Sequence, residues 1–213
     1  LVVKNRRNNL IYEFRTYQLE PGTAGVYGER VAEKIEKRVE YSPLMGYWYT
    51  ELGPLNEVLH IWPYNDSNER AEIRQKVVDD GIWPPDAGDL ITGQRSEIMI
   101  PTSFTEFTGE QEVGPVFEMR TYMYKPGEVN KTINAWSEFI EERRKYSPCI
   151  GAWYTDLGEL NKFVHIWSYE SLAQRMEVRE EVGKLGFWPP KSGAKPLSMD
   201  AQILFPYSFS TIK

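Results

Sequence analysis

The chain of 213 residues holds one cysteine, Cys149, and two histidines, His60 and His165. No disulfide can form within it, which points to a reducing compartment, and Cys149 reads as a small buried hydrophobe. The histidines lie in no HxH or HExxH spacing, so no metal site is expected. A Gly-rich phosphate loop, a nucleophile elbow and a Cys/His motif are all missing. No cofactor is therefore implied, and any chemistry falls to Glu, His, Arg and Tyr as acids, bases or charge stabilisers. Apolar runs stay far below the ~20 residues that span a bilayer, and no signal-peptide core precedes the first motif. The chain thus reads as soluble and cytoplasmic with no membrane partner, although its start at Leu1 is compatible with a removed targeting segment. With 25 Lys and Arg against 31 Asp and Glu, there is no basic surplus to neutralise phosphates, so nucleic acid is excluded as a partner.

What the chain has in abundance is aromatic side chains, 14% of residues with seven Trp. They line either an ordinary core or a ligand cavity, since Trp and Tyr offer an apolar body with one polar atom. The chain also repeats itself. EFRTY at 13–17 returns as EMRTY at 118–122, GYWYTELGPLN at 46–56 as GAWYTDLGELN at 151–161, and HIWPY at 60–64 as HIWSY at 165–169. PG, YSP and WPP recur likewise, always 105 positions on, so neither copy carries an insertion. The division is an N-terminal extension at 1–10, a first repeat at 11–105, a linker at 106–115 and a second repeat at 116–213. The linker, EFTGEQEVGP, is acidic and unpatterned.

Within a copy, Ile11 to Leu19 has strand character and Pro21-Gly22 ends it. A helix follows to about Tyr41, marked in the second copy by Val129, Ile133, Trp136 and Ile140 at helical spacing. Tyr47 to Leu52 and Glu57 to Tyr64 form two strands, Asp66 opens a second helix, and Arg95 to Ile100 is the last strand. Asp66 with Glu69, and Ser171 with Gln174, have the spacing of capping boxes. The resulting order is βαββαβ, an α+β fold of ferredoxin-like type in each repeat. Such a sheet carries both helices on one face, and two copies can cover each other's open faces.

Alternation sorts the first strand into Tyr12, Phe14, Thr16 and Gln18 on one face and Glu13, Arg15 and Tyr17 on the other. The apolar set is expected to meet the helices, and the polar set, identical in both copies, to point away from them. With strand order 4-1-3-2, Arg15 would lie between His60 and Glu97. The candidate catalytic residues are therefore Glu13, Arg15, His60 and Glu97, ringed by Tyr17, Trp48 and Trp62 as ligand contacts. Glu118, Arg120, His165, Tyr122, Trp153 and Trp167 make the corresponding second cluster, in which Gln202 replaces Glu97. Two nearby carboxylates would raise one pKa towards neutrality, so catalysis is expected to be asymmetric and centred on the first copy. Each group also has a plainer role: Glu13 with Arg15 as a compensated buried ion pair, the histidines as hydrogen-bonded interface groups. Trp83 and Trp188 of the WPP segments are loop residues or the lid of a cavity.

The ordered motifs (Y/F)E(F/M)RTY, GxWYT(E/D)LGxLN and HIWxY resemble those of the NIPSNAP family over nearly the whole chain. That resemblance implies ferredoxin-like units paired into a dimeric α/β barrel, a superfamily that includes cofactor-free monooxygenases, isomerases, cyclases and haem-handling proteins. Here the two repeats are expected to form one eight-stranded α/β barrel within the chain, with outer surfaces left for a homo-oligomer. The functional expectation is a small aromatic or apolar ligand in the barrel cavity, with cofactor-independent acid–base catalysis as an extension. Its competitor is a scaffold whose inner polar residues only fix how the sheets meet.

Overall fold

The computed structural model describes residues 10–107 and 109–213; most of the expected N-terminal extension lies outside them. The first repeat runs β1 (Ile11–Leu19), α1 (Ala24–Val39), β2 (Gly46–Leu52), β3 (Glu57–Tyr64), α2 (Ser67–Asp79) and β4 (Ile91–Pro101). The second runs β5 (Val116–Met123), α3 (Val129–Ser137), α4 (Ile140–Arg144), β6 (Cys149–Leu157), β7 (Lys162–Tyr169), α5 (Leu172–Leu185) and β8 (Ser198–Pro206). The βαββαβ order holds in both, except that the first helix of the second copy is split into α3 and α4.

Local chemistry accounts for the helices. Tyr27, Val31 and Ile35 recur every fourth position and are buried with Arg38, giving α1 one core-facing stripe. Asp66 caps α2 by accepting from the backbone N–H groups of Asn68 and Glu69, and Ser171 caps α5 by accepting from that of Gln174. The reciprocal carboxyl and amide reach one residue further back than a capping box requires: Glu69 accepts from the N–H of Asn65, and Gln174 from that of Glu170.

All eight strands form one closed antiparallel barrel in the order β1-β3-β2-β8-β5-β7-β6-β4. Each repeat thus keeps the order 4-1-3-2, and the two sheets join at β2–β8 and β4–β6. Each repeat's last residues then cross onto the other repeat as a strap. The N–H of Thr102 donates to the carbonyl of Ala152 and Thr105 Oγ1 accepts from its N–H, while Tyr207 and Ser210 do the same at Tyr47. The linker is pinned as well, through backbone bonds between Gln111 or Val113 and the chain end at Thr211 and Lys213.

An eight-stranded barrel is just wide enough for side chains to fill it. Tyr12, Phe14, Trp48, Leu59, Ile61, Met99, Phe117, Met119, Trp153, Val164, Ile166 and Leu204 form that interior cluster. This reverses the expected faces: the apolar set of β1 points into the barrel, and Tyr17, Val58 and Trp62 lie under the helices with Tyr27, Val31 and Ile35. Apolar character could not decide between the faces, because closure of the barrel buries both.

Gly46 and Gly151 are needed beside the interior tryptophans. A Cβ on Gly46 would lie 2.0 Å from Trp48 Cη2, and one on Gly151 2.5 Å from Trp153 Cη2. Gly46→Ala should therefore cost about 1–3 kcal/mol through overpacking, read as a lower urea midpoint. The loss should be smaller in a Trp48→Leu background. Equal losses in both backgrounds would mean that the indole is not what the new methyl group meets.

Candidate functional site

The structure assembles most of the expected clusters, on the helix side of the sheets. Arg15 lies opposite His60 and Glu13 opposite Trp62 across the β1–β3 ladder. Arg15 Nη1 donates to Glu13 Oε1 at 2.9 Å, Arg15 Nε to Tyr17 Oη at 2.7 Å, and Trp62 Nε1 to His60 Nδ1 at 2.6 Å. The second copy repeats the set: Arg120 to Glu118 at 3.3 Å, Trp167 Nε1 to His165 Nδ1 at 2.8 Å, and Tyr122 edge-on to His165.

Glu97 is not part of it. On β4 it is Ser96 that faces Arg15, while Glu97 faces Phe14. With side chains alternating along a strand, that single residue moves Glu97 and its counterpart Gln202 to the barrel side. Trp48 and Trp153 lie inside the barrel too, away from Arg15 and His60. The expected pairing of Glu13 with Glu97 as neighbouring carboxylates is thus replaced by two separate environments.

The groups that complete the clusters come from the helices and from β4. Arg70 Nη2 donates to Glu13 Oε1 at 2.5 Å, Ser96 Oγ to the same atom at 2.7 Å, and Arg74 Nη1 stands 3.5 Å from Oε2. Arg175 and Arg179 hold Glu118 at 2.6 and 3.6 Å. Arg38 lies over Trp62 and donates to Ser42 and Tyr64; Arg143 lies over Trp167 and donates to Ser147 and Tyr169. These arginines obey the 105-residue offset, so the repeat itself could have revealed them.

Protonation follows from these contacts. Burial is the largest influence on Glu13 and pushes its pKa up, but Arg70, Arg74, Arg15 and Ser96 together bring it down to about 2. His60 and His165 are driven well below the ordinary histidine range, by burial first and by Arg15 or Arg120 next. Because an indole N–H can only donate, both imidazoles are neutral with the proton on Nε2. The first cluster thus combines a carboxylate held ionised with a neutral imidazole, and both imidazoles stay uncharged near neutral pH. They are also covered: Tyr47 stacks on His60 at 4.4 Å, Trp83 meets Trp62, and Trp188 meets Trp136 and Trp167.

Open space lies on the other face, where a cavity of about 570 Å³ occupies one mouth of the barrel. Phe14, Leu59, Met99, Met119 and Val164 are among its lining, and Glu57, Arg95, Glu97, Lys162, Asp200 and Gln202 supply its polar groups. Lys162 Nζ donates to Glu97 Oε1, both side chains being almost fully buried, and Arg95 Nε stands 3.6 Å from Glu97 Oε2. Gly158 closes over this pair with φ +128°, and a Cβ there would meet Glu97 Oε1 at 2.8 Å. By the repeat offset Glu57 stands where Lys162 does, and Gln202 where Glu97 does. One side of the mouth thus carries a buried ion pair and the other a half-buried carboxylate. Burial raises the pKa of Glu57, and only Arg95 opposes the rise.

A family model described as NIPSNAP matches residues 12–106 and 117–211. The protein NipSnap homolog 3B of Homo sapiens is 31% identical over 214 residues, covering 95% of this chain and 85% of the relative. A NipSnap homolog of Dictyostelium discoideum is 27% identical over 203 residues, covering 92% and 87%. Among solved structures, a candidate monooxygenase from Fusobacterium nucleatum superposes with a TM-score of 0.66 over 93% of this chain and 92% of its own, at 10% identity. Another from Lactobacillus acidophilus gives 0.61 over 92% and 93%, at 11% identity. At that identity the likeness shows the shared fold alone.

The buried histidines should make stability depend on pH. Above pH ~6.5 both are neutral folded or unfolded; below it the unfolded chain takes up protons that the folded state refuses, so stability falls with decreasing pH. Each histidine contributes a slope of up to about 1.4 kcal/mol per pH unit. Glu13 adds a second loss as pH falls from 4.5 towards about 2, because only the folded state keeps it ionised. Denaturation followed between pH 7.5 and 5 should show the first slope, and His60→Asn, which keeps an acceptor for Trp62, should halve it. A flat profile over that range would contradict the neutral, buried state of both rings.

Proposed function

Since the chain belongs to the NIPSNAP family and closes both of its repeats into one barrel, we propose that it binds a small, largely apolar molecule in the cavity at the barrel mouth. The observation that carries this reading is the cavity itself, with an apolar floor, a few convergent polar groups and a volume in the range of small-molecule sites. Thr16 and Thr121 on opposing strands add hydroxyls to its wall. The Glu13 and Glu118 clusters take a different role. They are covered, and their buried carboxylates are paired with Arg70 and Arg175, so they fasten α2 and α5 to the sheets and fix the strands from which the cavity wall is built.

Acid–base chemistry, if this protein performs it, belongs at the mouth and not at the arginine clusters. Glu57 is the carboxyl group there whose pKa rises towards the range useful for proton transfer. The scaffold reading is supported by the packed clusters but gives no account of the cavity.

Native mass spectrometry of protein purified from its source should show a retained small molecule. Leu59→Trp, which places an indole in the cavity floor, should remove that adduct or weaken rebinding at least tenfold while the chain stays folded by circular dichroism. A folded Leu59→Trp protein that retains the same adduct would sink the barrel-mouth assignment.

A further inference from the structure

The cavity's charges are unevenly committed. Lys162 is bonded to Glu97 and lies 3.8 Å from Glu159, and Arg95 also faces Glu97. Lys162 is thereby taken, and Arg95, with a half-exposed side chain, is partly engaged. The Glu57 side chain, in contrast, makes no hydrogen bond or close ion pair among the described residues, Arg95 acting on it only through space, and exposed Asp200 adds a second acid at the rim. The two halves of the mouth descend from the same repeat, yet where the second copy has Lys162 the first has Glu57, and where the first has Glu97 the second has Gln202. A mouth with matching halves would need a Lys at position 57, as at 162, facing an acid at position 202, as at 97; the chain has neither.

Resting on the reading of the barrel mouth as a ligand site, we propose that its ligand carries a cationic nitrogen, an ammonium or amidinium group, that pairs with Glu57 while its apolar body lies on Phe14, Leu59, Met99, Met119 and Val164. A half-buried carboxylate beside apolar groups is costly without a partner, and a cation arriving from solvent supplies one through charge-assisted hydrogen bonds. The opposite wall competes less well for that cation, because Glu97 and Glu159 both face Lys162. Burial raises the pKa of Glu57, so cation binding should strengthen as pH rises through its titration and release a proton at lower pH.

The test uses three probes of one chain length, n-octylammonium, 1-octanol and octanoate, titrated calorimetrically into the full chain below their aggregation limits. Octylammonium should bind about tenfold or more tightly than octanol, with octanoate weakest. Glu57→Gln should bring octylammonium down to the level of octanol without changing octanol binding, and Glu57→Lys should shift the preference towards octanoate. Circular dichroism on both variants checks that they fold. Octanol binding without any preference for the ammonium overturns the cation inference and leaves the cavity reading standing. An ammonium preference that survives Glu57→Gln overturns the role of Glu57. Failure of all three probes to bind the wild-type chain overturns both.

Discussion

Edge pairing between the two sheets is the constraint on which the remaining structure depends. A ferredoxin-like sheet alone leaves two strand edges and one face open, and unpaired edges invite other chains. Here β2 pairs with β8 and β4 with β6, so that Tyr49 lies opposite Phe205 and Ile100 opposite Tyr154, and the sheet has no edge left. The second repeat is tethered to the first by the short linker at 106–115, which makes it a partner at high effective concentration. The exchanged straps reinforce the same joints, with Thr105 binding the backbone of Ala152 and Ser210 that of Tyr47. Gly28 admits one of them: a Cβ there would lie 2.3 Å from Tyr207 Cε1, and the second copy has Ile133 in its place.

Closure buries both faces of β1, β3 and β7 over most of their length and so decides where charge can go. Glu13 and Glu118 are wholly buried, and each is held by an arginine from its own strand and two from the helix above. A buried carboxylate without such partners would protonate instead. The same arginines bring the helices into register with the sheet, which explains why a charged motif recurs in both copies where apolar packing would have sufficed. Arg38 and Arg143 extend this by lying over Trp62 and Trp167 at about 4 Å from the ring centroids, a cation–π contact to which guanidinium is well suited.

Inside the barrel the two copies no longer match. Phe14 and Leu59 of one correspond to Met119 and Val164 of the other, conservative changes that keep the floor apolar. At the mouth the changes are not conservative. Lys162 and Glu97 neutralise each other across the joint between repeats, whereas Glu57, Asp200 and Gln202 leave the opposite wall acidic. An exact twofold cavity would favour a symmetric ligand or two equivalent half-sites; this one has a distinguishable polar side, which is what orienting a single small molecule requires.

The sequence by itself determined the duplication, the βαββαβ order, the caps at Asp66 and Ser171, and the alignment of Arg15 with His60. Each of these follows from local spacing or from strands whose order the fold class dictates. It also grouped Glu13, Arg15, Tyr17, His60 and Trp62, because alternation keeps them on one face wherever that face points. Tertiary structure alone decided which face enters the barrel, since closure makes both sides dry and removes the contrast between apolar and polar strand faces that usually tells them apart. It decided the place of Glu97 too: a one-residue step in the β1–β4 ladder moves a side chain to the opposite face, and local pattern does not fix pairing register between distant strands. The bond from Lys162 to Glu97 joins residues of different repeats across β6, so no periodicity within either copy could have shown it.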